Sequence, residues 1–516
     1  MLPNIPADVE RLYLTFKEAG HTPPIRDLVA VVSSIISNAT SEILVILDAL
    51  DEVPERSSRN NRQELLQFLS GLAREGFSRL HVLVTSRDLS DIRHPFREVA
   101  SQELCLERSD VDPDIRYYVQ CCLKHYNLAR WSPDLKSEIE EIISSKAKGM
   151  FRWAACQMEL IERCRKIRDA RIALSCLPKT LDDTYKRMLA DINEEYLPDA
   201  MAVFRWLTYS RRPLSIEEIA EAAILQSETT RVDPNDRLAD PSEVIGICRG
   251  LLTLSHEQES HRGPKRSLYH QLQLESRRSR VVRFSHFSVQ EYLRSERASS
   301  FHIDTAQSHT QLTGCCLSDV IYNASSTFSI EDTIEYPMLE YAARYWHEHF
   351  QNLEASDPQL DGLVHMLLET DALGRWLQIH DPVGLRHYSP SIVISMQGPA
   401  WDLFYASHLG LYRSTKRSLY AIEDSNITRY IDSGVTPYTA LGAACLRGHV
   451  DIVRLLLSRG ADPNSRIVDG TILKAVLDVY QQCIDPVGES AKLKNMEEVL
   501  LILLEHGAET KRSTQN

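Results

Sequence analysis

Residues 43–52 read Ile43-Leu44-Val45-Ile46-Leu47-Asp48-Ala49-Leu50-Asp51-Glu52. A continuous aliphatic run rich in β-branched residues predicts a strand buried on both faces, as in a parallel sheet. Downstream, Leu65, Leu66, Phe68, Leu69 and Leu72 mark a helix, and Leu80-His81-Val82-Leu83-Val84-Thr85 a second strand. Glu103-Leu104-Cys105-Leu106 is a third candidate strand. Upstream, Val9, Leu12, Tyr13 and Phe16 form one helical stripe. Leu28, Val29, Val32, Ile35 and Ile36 form another, behind a Thr22 cap and Pro23. Strand, helix, strand in this rhythm implies an α/β layer.

The chemistry of this layer is expected at the strand ends. A carboxylate leaving the C-terminal end of a parallel strand lies where ligands bind in open α/β sheets. Asp48 is so placed and could hold Mg²⁺, directly or through water. Asp51 and Glu52 follow within one turn, where a carboxylate could orient a water. The second strand runs into Thr85-Ser86-Arg87, which brings a guanidinium to the same edge, within reach of a phosphate. Taken singly, Asp48 and Asp51 read equally as turn carboxylates with Arg87 as ion-pair partner. As an ordered set, they point to an NTPase-type site.

The 516 residues suggest three or four domains, and 43% hydrophobic with 25% charged residues is ordinary globular composition. A net charge of −14 argues against nucleic acid or an anionic membrane as the main partner. The 11 cysteines include two adjacent pairs and no Cys-x-x-Cys, the usage of a reduced intracellular protein. The N-terminus has neither a basic nor an apolar signal region. The most apolar stretch, Leu28 to Leu50, is interrupted by Ser33, Ser34, Ser37, Asn38, Thr40, Ser41 and Glu42, so it predicts no membrane span. A cytoplasmic location is expected.

The two strand-end segments, ILVILDALDE and LHVLVTSR, resemble the Walker B and sensor segments of NACHT-type signal-transduction NTPases. The resemblance implies that Asp48 is the Mg²⁺-associated carboxylate. Asp51 and Glu52 become the acidic pair near the hydrolytic water, and Arg87 the sensor arginine. One departure is large: the sequence contains no Gly-x-x-x-x-Gly-Lys-[Ser/Thr], the loop whose N–H groups and lysine hold the β- and γ-phosphates. In the family that loop lies upstream of the Walker B strand, and 42 residues precede Ile43 here. The chain therefore looks like a NACHT module beginning after its phosphate loop. In such modules the strand leading into that loop sits beside the sensor strand. Its absence predicts a sensor strand with an unpaired edge, or one paired with Gln102 to Leu106.

Residues 109–195 read as helical throughout. Met150-Phe151-Arg152-Trp153 and Leu177 to Tyr185 look like segments of fungal-type NACHT–ankyrin proteins, although core packing accounts for their aromatics. Ser215-Ile216-Glu217-Glu218 opens a helix as a capping box. Two strands follow, Leu251 to Leu254 and Val281 to Phe284. Helices followed by a two-stranded wing resemble the winged-helix domain named for GPI inositol-deacylases, without Gly-x-Ser-x-Gly chemistry. Phe284-Ser285-His286-Phe287-Ser288-Val289-Gln290-Glu291-Tyr292-Leu293 resembles the Phe-x-His-x-x-x-Gln-Glu-aromatic segment of NACHT winged helices. In that family the histidine reaches the β-phosphate of ADP, so His286 is a phosphate-binding candidate. The alternative is a histidine packed under the next helix. Arg262, Lys265, Arg266, Arg277, Arg278, Arg280 and Arg283 form a basic segment around the wing, read as a solvated insertion and not a DNA contact. In Leu339 to His349, His347-Glu348-His349 lacks the i, i+4 spacing of a zinc pair.

The C-terminus repeats. Thr439 to His449 matches the ankyrin first-helix pattern. Asp451 to Leu457 with Gly460-Ala461-Asp462-Pro463-Asn464 matches the second helix and exit loop. Leu403 to Gly410 is a degenerate earlier copy. A later copy starts at Thr471, with its second helix at Val499 to Leu504 and an insertion of about 15 residues.

The expected fold is mainly α and multidomain, in five blocks. They are a truncated parallel α/β P-loop-NTPase-like core (1–108), a helical domain (109–195), a winged helix (196–297), a helical linker (298–398) and ankyrin repeats (399–516). The expected role is a scaffold or signalling protein that binds other proteins through its repeats, by turn tips and concave helix face, with no cofactor and no enzymatic turnover. The alternative is a nucleotide-gated switch taking Mg·ATP or ADP, its phosphate loop missing from this sequence.

Overall fold

A computed structural model describes residues 6–19, 25–53, 61–97, 99, 102–104, 108–225, 232–256, 280–324, 334–353, 357–383, 399–422, 439–467, 470–483 and 491–509. Their contacts divide the chain into two compact units. One is Met1–Glu103 with Val364–Leu377 and Asp381–Asn516, and the other is Leu104–Leu363 with Gln378–His380.

The first unit opens with α1 (Ala7–Ala19) and α2 (Ile25–Ser37), followed by β1 (Ile43–Leu47), α3 (Asn61–Arg74), β2 (Leu80–Val84) and α4 (Ser90–Phe96). β1 and β2 pair in parallel, with Ile43 opposite Leu80 and Leu47 opposite Val84. A parallel ladder requires a crossover, which α3 supplies. Leu66 and Leu69 of α3, Ile92 of α4 and Leu50 form the core, with Leu47 and Val84 packed against it.

Two expectations are corrected here, and a third is met. β1 is not buried on both faces: its residues alternate, and Leu44 and Ile46 are 64% and 60% exposed, with Leu83 of β2 at 51%. The helices cover one face, so alternate side chains reach solvent. Glu103 and Leu104 form no strand, Leu104 is exposed, and Cys105 and Leu106 lie outside the described residues. The sensor strand β2 pairs with β1 on one side, and its other edge has no strand partner among the described residues, the first of the two expected outcomes.

The second unit starts with helices α5 (Arg108–Lys124), α6 (Tyr126–Ala129), α7 (Pro133–Ala147), α8 (Phe151–Arg163), α9 (Ile167–Ser175) and α10 (Leu181–Ala190). Ile115, Val119, Leu135, Ile139, Trp153 and Ile161 meet in one core. Next come α11 (Leu197–Tyr209), β3 (Leu214–Ser215), α12 (Ile216–Ile224), α13 (Glu243–Ile247), β4 (Leu252–His256), β5 (Arg280–Phe284) and α14 (Phe287–Arg294). The strands form an antiparallel sheet in the order β3-β5-β4. The capping box forms: Ser215 Oγ accepts from the Glu218 N–H at 3.2 Å, and Glu218 accepts from the Ser215 N–H at 2.9 Å. Arg280 and Arg283 lie within β5, where Arg280 pairs with Glu217, and the rest of the basic segment lies outside the described residues.

Two long helices, α15 (Thr305–Asn323) and α16 (Leu339–Phe350), then pack side by side. Between them His309 and His349 meet, Nδ1 to Nδ1 at 3.1 Å, with His349 fully buried. The Arg211 N–H donates to Tyr341 Oη at 2.9 Å, and that hydroxyl lies 2.9 Å from His349 Nε2. If the hydroxyl donates onward, His349 carries its proton on Nδ1 and gives it to His309 Nδ1. Burial, reinforced by the Arg211 charge, holds both imidazoles well below the ordinary histidine value of 6.5.

The chain continues with α17 (Pro358–Glu369) and α18 (Ala372–Ile379), then three helix pairs. These are α19 (Pro399–His408) with α20 (Tyr412–Ala421), α21 (Ala440–Arg447) with α22 (Val450–Ser458), and α23 (Ile472–Cys483) with α24 (Ala491–Glu505). Two short antiparallel strands, β6 (Arg466–Ile467) and β7 (Gly470–Thr471), link the last two pairs. Thr439 caps α21, its Oγ accepting from the Gly442 N–H at 3.1 Å. Gly448 and Gly460 close their helices at φ of 74° and 89°, a conformation glycine adopts without steric cost. The last second helix starts at Ala491, eight residues before the expected Val499, so helix takes up part of the insertion.

Two outcomes are expected. Leu456 is fully buried in the repeat core, so Leu456→Asp should cost about 3–5 kcal/mol through a lost apolar contact and an unpaired buried charge. Thermal melting and protease resistance of the full chain check this, and unchanged values contradict the packing. The histidine pair gives a pH dependence. The unfolded chain takes up protons at these positions below about 6.5, before the folded chain does, so stability falls as pH drops from there. Trp206 touches Tyr341 and His349 and reports the loss by fluorescence, and His309→Asn should flatten the slope between pH 6.5 and 4.5.

Candidate functional site

The ends of β1 and β2 are sewn together by backbone and side chain. The Thr85 N–H donates to Leu47 O at 2.9 Å, and the Leu50 N–H donates to Thr85 O at 2.9 Å. Thr85 Oγ1 accepts from the Ala49 N–H at 2.8 Å and donates to Asp48 Oδ1. Ala49 sits in the left-handed region at φ 52°, which reverses the chain into the single turn Leu50–Glu52. That turn carries Asp51 under the end of β2.

Asp51 is 8% exposed and holds Arg87 at two points: the side-chain Nε donates to Oδ2 at 2.5 Å, and the backbone N–H to Oδ1 at 3.1 Å. Burial alone would raise the Asp51 pKa, but the Arg87 hydrogen bonds and charge outweigh it and hold the carboxyl below its usual value. Arg62 of α3 clamps the same turn from behind. It donates to Asp51 O at 2.7 Å, to Val53 O at 2.6 Å and to Asp91 Oδ2 at 2.9 Å. Glu52 and Asp48 are exposed.

The strand-end residues singled out in the sequence therefore meet at one sheet edge. Arg87 pairs with Asp51, and Asp48 with Thr85. Sequence reading assigned no role to Thr85, although it lies in the quoted Thr-Ser-Arg. Arg62 carries no motif signal, since an arginine in an amphipathic helix reads as a solvated residue.

His286 belongs to the second unit and is built into a different network. It is exposed and caps α14: Nδ1 accepts from the Ser288 N–H at 3.1 Å and lies 2.6 Å from Ser288 Oγ. Ser288 Oγ is 2.7 Å from the hydroxyl of buried Tyr185, and Arg152 donates to Ser285 Oγ at 2.6 Å. These bonds tie the start of α14 to α8 and α10. Of the two readings of His286, the packed one described a ring under the next helix. The ring instead stands at the helix entrance as a hydrogen-bond acceptor.

Among the described residues no group of three or more His, Cys, Asp or Glu forms a metal-binding cluster, and no helix is long and apolar enough to cross a membrane.

A parallel strand pair with an Asp-x-x-Asp-Glu end beside a Thr-Ser-Arg end, on a chain that closes in stacked helix pairs, defines a class that comparison with known proteins makes specific. Residues 2–87 match the nephrocystin 3 N-terminal family, and residues 438–467 match the ankyrin repeat. The chain is 29% identical over 343 residues to the azaphilone pigments biosynthesis cluster protein L of Monascus ruber, covering 64% of this chain and 69% of that protein. It joins a nephrocystin-like N-terminal segment to ankyrin repeats, the combination of NACHT–ankyrin proteins.

Breaking the clasp should loosen the α/β segment. Because Arg87 is 55% exposed, Arg87→Ala is expected to cost about 1–2 kcal/mol, below the figure for a fully buried pair. The Asp51 contribution is present at neutral pH and declines as pH falls below the ordinary aspartate value of 3.8 and through the lowered folded value. Hydrogen exchange of the 43–47 and 80–84 amides checks both, with faster exchange expected in the variant.

Proposed function

We propose that this chain is a protein-interaction scaffold or signalling protein of the NACHT–ankyrin type that binds other proteins through its ankyrin repeats and does not turn over ATP. The observation that carries the reading is the C-terminal row of three helix pairs, whose residues 438–467 match the ankyrin repeat. At the other end of the chain, β1 pairs with β2 along all five residues, Ile43 to Leu47 against Leu80 to Val84. The carboxylates support the same reading. Both oxygens of Asp51 accept from Arg87, which favours a structural role for that carboxylate, while Asp48 accepts from Thr85 through Oδ1 alone. The sequence also supplies no glycine-rich loop, whose charge-assisted bonds are worth about 1.5–3 kcal/mol each.

The helices and three-stranded sheet from α11 to α14 are read as a winged helix of the same architecture, and the protein as cytoplasmic. The Monascus ruber relative is named for a pigment biosynthesis cluster. An adaptor acting among biosynthetic enzymes is the form of the scaffold reading that this relationship favours.

A second reading, a nucleotide-gated switch, draws on the meeting of Asp48, Asp51 and Arg87 at one sheet edge and on the exposed His286. Calorimetric titration of the purified chain with Mg·ATP and with ADP separates the two. The scaffold reading expects no heat of binding and no phosphate release. Micromolar binding that Asp48→Ala or His286→Ala abolishes would put the switch first.

A further inference from the structure

The ankyrin-type helices are unequal in what they offer a partner. In α19, every residue from Ala400 to His408 is buried or half-buried, and α21 exposes only Arg447. Those two first helices leave no open face for docking, although the family resemblance assigns partner binding to the concave helix face. The exposed side chains stand instead on the second helices. α20 exposes Tyr412, Arg413, Lys416, Arg417 and Tyr420, positions that share one helical face. The helix Tyr412–Ala421 contains three basic residues and no acidic one.

The aromatic and basic groups of this face are organised. Tyr420 is 61% exposed, and the Arg459 guanidinium sits 4.7 Å from its ring centroid, with Lys416 Nζ at 6.0 Å. Arg417 lies 2.7 Å from His365 Nε2, and His365 pairs in turn with Glu369, which steadies the Arg417 side chain. Thr415, Ser418 and Leu419 are buried beneath, so the helix is anchored while its outer face stays open.

We propose that the outer face of α20 is a docking site for a short acidic segment of a partner protein. Its carboxylates would meet Arg413, Lys416 and Arg417, and an apolar side chain would pack on Tyr420. The proposal rests on the reading of the chain as a protein-binding scaffold and names the surface that does the binding. Charge and length choose the occupant. The chain carries −14 overall; of the next second helices in the row, α22 exposes Asp451 and Arg454, and α24 exposes Lys494 beside Glu497, Glu498 and Glu505, with Arg454 paired to Glu498. A long polyanion laid along this row would leave the basic helix for a charge-balanced one and then a net acidic one. Arg413, Lys416 and Arg417 lie within one helix of ten residues, about 15 Å long, with Arg459 against its Tyr420, which suits a short peptide.

The test uses the full chain and three fluorescent probes read by anisotropy. They are an acidic peptide of glutamate and leucine, its lysine-for-glutamate counterpart, and a single-stranded oligo-dT of similar length. The acidic peptide should bind, weakening with added salt. The reversal Arg413→Glu with Lys416→Glu should weaken it about tenfold or more, and Tyr420→Ala about threefold. Reversing Glu497 and Glu498 to lysine should not weaken it, and the lysine peptide should not bind. The milder pair Arg413→Gln with Lys416→Gln carries the same test should the reversal melt early. No binding of the acidic peptide, or tighter binding of oligo-dT, would overturn the proposal. So would binding that the α20 variants leave unchanged at wild-type melting temperature, which would move the site elsewhere while leaving the scaffold reading intact. The nucleotide titration tests that reading separately.

Discussion

The Arg87 guanidinium seated on the buried Asp51 carboxylate holds the α/β segment closed, because a sheet of two parallel strands has little else to hold its ends. Two-stranded sheets are marginal in water, and parallel pairing is slightly weaker per residue than antiparallel. Here one face is packed on α3 and α4, and the C-terminal ends are bound by Thr85, Asp48, Asp51, Arg87 and Arg62. Of these groups, Asp51 and Arg87 hold each other, and Asp48 accepts from Thr85 through one oxygen. A carboxylate neutralised by a fixed guanidinium is stable, and it is a poor partner for a cation.

The helical unit solves a similar problem with polar side chains at its crossings. Buried polar groups need partners. Trp153 Nε1 donates to Pro178 O at 3.1 Å, Tyr185 reaches Ser288, and Tyr341 links the Arg211 backbone to the histidine pair. The Tyr185–Ser288 and Arg211–Tyr341 bonds join elements far apart in sequence, so each fixes a register that apolar packing alone leaves loose. The histidine pair does so only while neutral, which makes this junction the acid-sensitive one.

In the repeats, small residues decide the geometry. Ala440, Gly442, Ala443 and Ala444 let α21 sink among its neighbours, and Leu456, Leu457, Val499 and Leu503 close the core from the second-helix side. A first helix so deeply packed supports the stack, and most of the exposed charged side chains stand on the second helices. Their exposed charges differ from repeat to repeat: basic on α20, one of each sign on α22 (Asp451 and Arg454), and net acidic on α24.

By itself the sequence determined the local elements. The aliphatic runs at 43–47 and 80–84, the Ser215 capping box, the Thr439 cap and the glycines at 448 and 460 all specify their own backbone, because the signals lie within a few residues of one another. The strand-end carboxylates and Arg87 were legible as a set for the same reason. Only the tertiary structure decided that β1 would be the neighbour of β2, that Leu44 and Ile46 would face solvent, and that Arg87 would choose Asp51 over Asp48. It alone recruited Arg62 to the turn, joined His309 to His349, and made His286 a helix cap. These are contacts between residues brought together by chain folding. Their energies depend on burial and on which partner arrives first at a shared donor, and neither is written in the spacing of residues along the chain.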